Sequence, residues 1–208
     1  MIIAITGYKG SGKDTVADML IEKMGGEKQY VGKRSFAYPI KEAAKVIFDW
    51  GEEHVNGDLK NDVDERWGVS PREILQWMGT EVFQYKISED FPAFADKVGR
   101  EIWVQNLYNW YLSNHNPFTS NIIIPDMRFP HELEVIKYGM SRITPVVTIR
   151  VDRESITPDD PHESEYHIPY LSVDFIIENN YPLPVLEESV DTIVDYLKTR
   201  PIEIEEAG

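Results

Sequence analysis

The chain has 208 residues, 42% hydrophobic and 27% charged, with a formal net charge of -15. That composition suits one globular domain with a substantial core, and the acidic balance excludes a protein that grips a nucleic-acid backbone, which needs a basic footprint. The absence of cysteine excludes disulfides, thiolate metal sites and a cysteine nucleophile. An acidic chain can still hold a small phosphorylated ligand if lysines and arginines gather locally. The apolar start "IIAIT" lacks the basic region and cleavage site of a signal peptide. No apolar run approaches the roughly 20 residues of a membrane span. The expected location is the cytoplasm, a reducing compartment that a cysteine-free chain fits.

In chain order, "IIAIT" (2–6) predicts a buried strand. "TVADMLIEKM" (15–24) predicts a helix stopped by "GG" (25–26). "RSFA" (34–37) reads as a weak strand. Pro39 opens a helix over 40–50. Residues 51–69 are polar and acidic. "SPREILQWMG" (70–79) carries Ser70 as N-cap, Pro71 at the first helical position, Glu73 as the capping-box partner and Gly79 as the stop. A long aromatic-rich helix spans 98–112, with core as its default role. "NIIIPD" (121–126), "PVVTIRV" (145–151) and "VDFIIEN" (173–179) predict three more strands. Helices follow at 129–139 and 183–198, and the tail "PIEIEEAG" is expected to fray. Strands alternating with helices, each strand a near-continuous apolar run, imply a parallel α/β sheet covered on both faces. The organisation expected is a single domain, 1–208, with a helical insertion at about 50–115 and a polar lid at about 152–170.

Gly7, Gly10, Ser11, Gly12 and Lys13 lie between the first strand and its helix, the context a phosphate-binding loop requires. Glycines let the backbone curl its N–H groups toward an anion, the helix start adds partial positive charge, and Lys13 supplies a mobile cation. The next residue is Asp14, where Ser or Thr is usual, and the hydroxyl comes one place later at Thr15. The shifted hydroxyl resembles the loop of small-molecule kinases of the nucleoside monophosphate kinase type and points away from switch proteins. Asp14 either approaches a metal or simply complements the helix start.

Other candidates sit where a parallel sheet binds ligands, at the carboxyl ends of its strands. Lys41 is one, or else a solvated lysine. Arg72 and Gln76 lie one helical turn apart and suit a phosphate clamp and a base edge; the alternative is a surface helix with Trp77 packed inward. Asp126 follows a buried strand and suits Mg2+, with Arg128 and Glu132 close behind; alternatively Asp126 caps the helix and pairs with Arg128. Arg150 and Arg153 end another strand and open the lid segment. "HESEYH" has the wrong histidine spacing for a helical zinc site, and "DLKNDVDE" lacks the glycine of a calcium loop. No GxSxG elbow is present.

Taken together, "GYKGSGKDTVAD", "FAYPIKEA", "SPREILQWMGTE", "IWVQNLY", "IIIPDMRFPHELE", "TIRV", "HESE" and "FIIENN", in that order, resemble the phage-type deoxynucleoside monophosphate kinases. The resemblance implies a three-layer phosphate-loop kinase fold. It implies transfer of the ATP γ-phosphate to a deoxynucleoside 5′-monophosphate with Mg2+. On it, Lys13 and Thr15 serve ATP and metal, and Lys41, Arg72, Gly79, Thr80, Trp103, Asp126, Arg128 and Glu132 line the monophosphate pocket. Lys13, Arg128, Arg150 and Arg153 then act on the transferring phosphoryl group by direct in-line displacement, with no covalent intermediate. The expected partners are the small substrates, with no nucleic-acid polymer and no membrane, in a monomer or homodimer. A kinase for phosphomevalonate or dephospho-coenzyme A and a non-catalytic nucleotide switch remain the alternatives.

Overall fold

In a computed structural model that describes residues 1–25, 30–114, 120–156 and 163–199, five strands form one sheet. They are β1 (Ile2–Thr6), β2 (Tyr30–Lys33), β3 (Ser120–Ile124), β4 (Val146–Asp152) and β5 (Phe175–Glu178), in the order β2-β3-β1-β4-β5. Every pairing is parallel, with Ile2 opposite both Ile122 and Val146. Each residue of β1 and β3 is buried, as both faces of a covered parallel sheet require. Side chains alternate along a strand. Ile3, Ile5, Ile123, Val147, Ile149, Val151 and Ile177 pack with Val16, Ala17 and Leu20 of the helix Lys13–Met24 and with Leu186, Val190 and Ile193 of the helix Leu183–Thr199. The alternate positions Ile2, Ala4, Ile122 and Ile124 are buried as well. Each of the Ile, Leu and Val side chains stabilises the fold by roughly 1.5–3 kcal/mol. Helices thus flank the sheet in a three-layer α/β arrangement.

The chain divides into two compact units: Phe36–Asn106, which is helical, and a discontinuous sheet unit of Met1–Ser35 with Leu107–Gly208. In the helical unit, Tyr38–Phe48 and Pro71–Gln76 are helices, and the latter continues as a π-helical stretch over Trp77–Lys86. Gly79 does not stop the helix, contrary to expectation. Its φ is not positive, so it costs propensity without turning the chain. Its carbonyl accepts a hydrogen bond of 2.8 Å from the Trp103 indole. Trp77 is not packed inward; it is 55% exposed.

In the sheet unit the weak strand expected at 34–37 is displaced to Tyr30–Lys33. β2 is an edge strand paired on one side only, so its sequence need not be a continuous apolar run. The helix predicted at 129–139 forms as Pro130–Glu134 followed by a π-helical turn, Val135–Gly139. Of the expected lid, residues 157–162 lie outside the described residues, as do Gly26 and the tail from 200.

Candidate active site

The loop after β1 is built by backbone conformation. Gly7, Gly10 and Gly12 have φ of 151°, 81° and 98°. A Cβ on Gly7 would stand 2.6 Å from both Ser11 Oγ and the Val151 carbonyl, and one on Gly12 would stand 2.3 Å from Asn179 Nδ2. Neither position admits a side chain without rearrangement. Ser11 N–H turns back to the Tyr8 carbonyl at 3.1 Å, and the helix begins with Val16 N–H on the Gly12 carbonyl at 3.0 Å. The buried hydroxyls of Thr6 and Ser11 have no hydrogen-bond partner among the described residues. Buried polar groups are normally satisfied, so these two hydroxyls, one ending β1 and one in the loop after it, suit a polar ligand.

Lys13 is 9% exposed, and its ammonium donates to the Tyr8 carbonyl at 3.3 Å. Burial pushes its pKa down, and the nearby Arg128 charge adds to this, while Asp14, Glu165 and Asp126 oppose it. The carboxyl edge of the sheet therefore gathers Lys13, Asp126 and Arg128 into one electrostatic group. Gly10, Gly12, Lys13, Asp14 and Thr15 line a cavity of about 560 Å³ with Arg153. Its other wall is Asn179, Tyr181, Pro182, Leu183 and Leu186. These were missed from sequence, although "NNYPL" directly follows β5, at the strand end where ligands bind. Asn179 also braces the loop, its Nδ2 donating to the Ser11 carbonyl at 2.8 Å.

The remaining predicted residues have other bonds. Arg150 Nε donates to Asp152 at 3.0 and 3.1 Å, and its Nη1 donates to the Pro169 and Leu171 carbonyls at 3.2 and 3.4 Å. That arginine ties β4 to a later segment. Glu132 is buried, and its Oε2 accepts from the Arg128 and Phe129 N–H groups at 2.7 and 3.0 Å. Burial pushes its carboxyl up to about 7, and Asp126 adds to this, against those two backbone bonds and the Arg128 charge. In the helical unit, Lys41 donates to Asn56 Oδ1 at 2.7 Å. Arg72 and Gln76 are half-buried, Thr80 is buried, and Trp103 holds the Gly79 carbonyl. Among the described residues no cluster of three or more acidic or histidine side chains could hold a metal, and no helix is long and apolar enough to cross a membrane.

A parallel five-stranded sheet whose first strand runs through this loop into a helix defines a phosphate-loop α/β protein. A family model described as deoxynucleotide monophosphate kinase matches residues 44–190. A protein of Acanthamoeba polyphaga mimivirus, provisionally named a deoxynucleotide monophosphate kinase, is 31% identical over 201 residues, covering 94% of this chain and 96% of its own. The deoxynucleotide monophosphate kinase of enterobacteria phage T4 is 26% identical over 203 residues, covering 92% and 74%. The APS kinase of Mycobacterium tuberculosis aligns in structure with a TM-score of 0.45 and 10% identity, over 95% of this chain and 96% of that one. The chain belongs to the deoxynucleotide monophosphate kinase family.

Proposed function

We propose that the protein transfers the γ-phosphoryl group of ATP to a deoxynucleoside 5′-monophosphate, giving the diphosphate. The observation that carries this reading is the cavity in which the glycine loop, Lys13, Thr15 and Arg153 face Asn179, Tyr181 and Leu183. It offers backbone N–H groups and cations for phosphates beside an apolar and amide wall for a base. The positive-φ glycines of the loop and the unsatisfied Ser11 hydroxyl fit a nucleoside triphosphate bound there. Thr15 and Asp126 are the groups that would hold Mg2+. A pair of ligands fits the ion's habit of taking one or two protein groups and completing its shell with phosphate and water. When bound, Mg2+ neutralises charge on the transferring group.

Lys13 and Arg153 hold the donor, and Arg128 faces the phosphoryl group between donor and acceptor. Arg72, Gln76, Thr80 and Lys41 are assigned to the acceptor on the strength of the sequence pattern. Arg150 and Glu132 support the site from behind, one by tying β4, the other by fixing the Arg128 backbone. The acceptor phosphate is already a nucleophile near neutral pH, so the chain need only align it and exclude water.

The test is ATP turnover against a panel of deoxynucleoside monophosphates, ribonucleoside monophosphates, phosphomevalonate and dephospho-coenzyme A. Preference for the first group is expected. Lys13→Ala should reduce kcat on the order of 10³-fold. Normal kinetics in folded Lys13→Ala, or preference for another acceptor, would overturn the reading.

A further inference from the structure

Glu165 is 3% exposed, and its carboxylate pairs with Nη1 of Arg128, 37 residues away in sequence. A carboxylate buried beside a phosphate site repels the substrate and is costly to desolvate, so its presence there needs a reason. Its charge opposes the loss of the Lys13 proton, and with burial it pushes the Tyr8 phenol up. Glu165 therefore stands within electrostatic range of the phosphate loop as well as of Arg128.

The segment that carries Glu165 is fastened on its C-terminal side. Ile168 and Leu171 are buried, and the carbonyls of Pro169 and Leu171 accept from Arg150. The His167 ring lies 5.9 Å from that of Phe129, the residue after Arg128. From the other direction, Glu132 fixes the Arg128 backbone N–H. Both ends of the Arg128–Glu165 pair are thus set on anchored backbone. A free arginine side chain gives up rotamer entropy when it is fixed, and a guanidinium already aimed does not lose that on binding.

We propose that Glu165 is a positioning residue, which holds the Arg128 guanidinium aimed at the transferring phosphoryl group before substrate arrives and offsets the repulsion between Arg128 and Lys13. This rests on the kinase reading above. Arg128 touches the substrate; Glu165 acts through it.

A double-mutant cycle on the full chain tests this, with wild type, Glu165→Gln, Arg128→Ala and the double variant assayed in steady state with ATP and the preferred deoxynucleoside monophosphate. Glu165→Gln should lower acceptor kcat/KM roughly 10- to 100-fold and leave the KM for ATP within about twofold. In the Arg128→Ala background the same change should alter kcat/KM by less than about twofold, because there is no arginine left to aim. If Glu165→Gln does not fold, judged by its thermal transition, Glu165→Asp replaces it, keeping charge but withdrawing the carboxylate, with the same direction expected. Equal losses in both backgrounds would mean a general structural role and overturn the proposal. So would an unchanged or improved acceptor kcat/KM, the latter marking Glu165 as a competitor of the acceptor. Wild-type turnover separates the two questions: if wild type phosphorylates no deoxynucleoside monophosphate, it is the kinase reading that fails.

Discussion

Glu132 is a buried carboxyl that spends one oxygen on two backbone N–H groups, and its position explains both its partners and its titration. As the third residue into the helix Pro130–Glu134, it reaches back to the N–H of Phe129, which precedes that helix, and to that of Arg128. These bonds fasten the turn that carries Arg128. Burial first, then Asp126, raises its carboxyl to about 7 from an ordinary value of 4.5. The folded protein therefore holds this proton more tightly than the unfolded chain. The stabilisation is fully present below about pH 4.5 and is lost as pH rises through about 7, a change of roughly 3 kcal/mol. Glu132→Gln cannot ionise, yet its amide oxygen can still accept from both N–H groups. Urea unfolding at pH 5 and pH 7.5 should show wild type losing about 2–3 kcal/mol more than the variant between the two conditions. Equal losses would contradict the assignment.

At the scale of the element, the helix from Pro71 shows which local signals are strong enough to survive tertiary context. Ser70 N–H donates to Glu73 Oε2 at 2.8 Å, the Ser70 hydroxyl donates to the same oxygen at 2.7 Å, and Glu73 N–H donates back to Ser70 Oγ at 3.3 Å. The Ser70 N–H, then its hydroxyl, hold the Glu73 carboxyl below its usual range. This start was legible because every participant lies within four residues. The end was not. Gly79 reads as a stop, but it does not adopt the left-handed conformation of a glycine cap; it lies inside the π-helical stretch Trp77–Lys86, and its carbonyl is taken by Trp103. Such a stretch is rare, and no local pattern announces it. Ser70→Ala should cost about 1 kcal/mol and lower Tm by roughly 2–4 °C. An unchanged Tm would show that the box contributes nothing beyond what packing already fixes.

For the molecule as a whole, the same division between local and distant signals sorts what sequence could reach. β1, β3 and β4 were legible because central parallel strands must be apolar on both faces, whereas the edge strand β2 is free of that demand and was misplaced by four residues. The phosphate loop was legible because its glycines and lysine are contiguous. Asn179 bracing Ser11 across 168 residues, and Glu165 pairing with Arg128, depend on which strand ends the sheet brings together. Net charge, by contrast, is read directly from sequence yet acts only at this largest scale. On the proposal above, a chain of charge -15 admits anionic nucleotides to a cavity lined by Lys13 and Arg153, with the Arg128 charge close to Lys13. Those cations act at contact distance, well inside the screening length of about 10 Å at 0.1 M salt, while the surplus of carboxylates acts from farther out. Adding salt should therefore weaken the long-range repulsion before it weakens the site. At fixed free Mg2+, kcat/KM for the nucleotide substrates is expected to rise by roughly twofold or more between 10 and 100 mM ionic strength, and to level or fall beyond that. A decline from the lowest salt onward would show that the local cations already dominate the approach, and that the acidic balance has no bearing on capture.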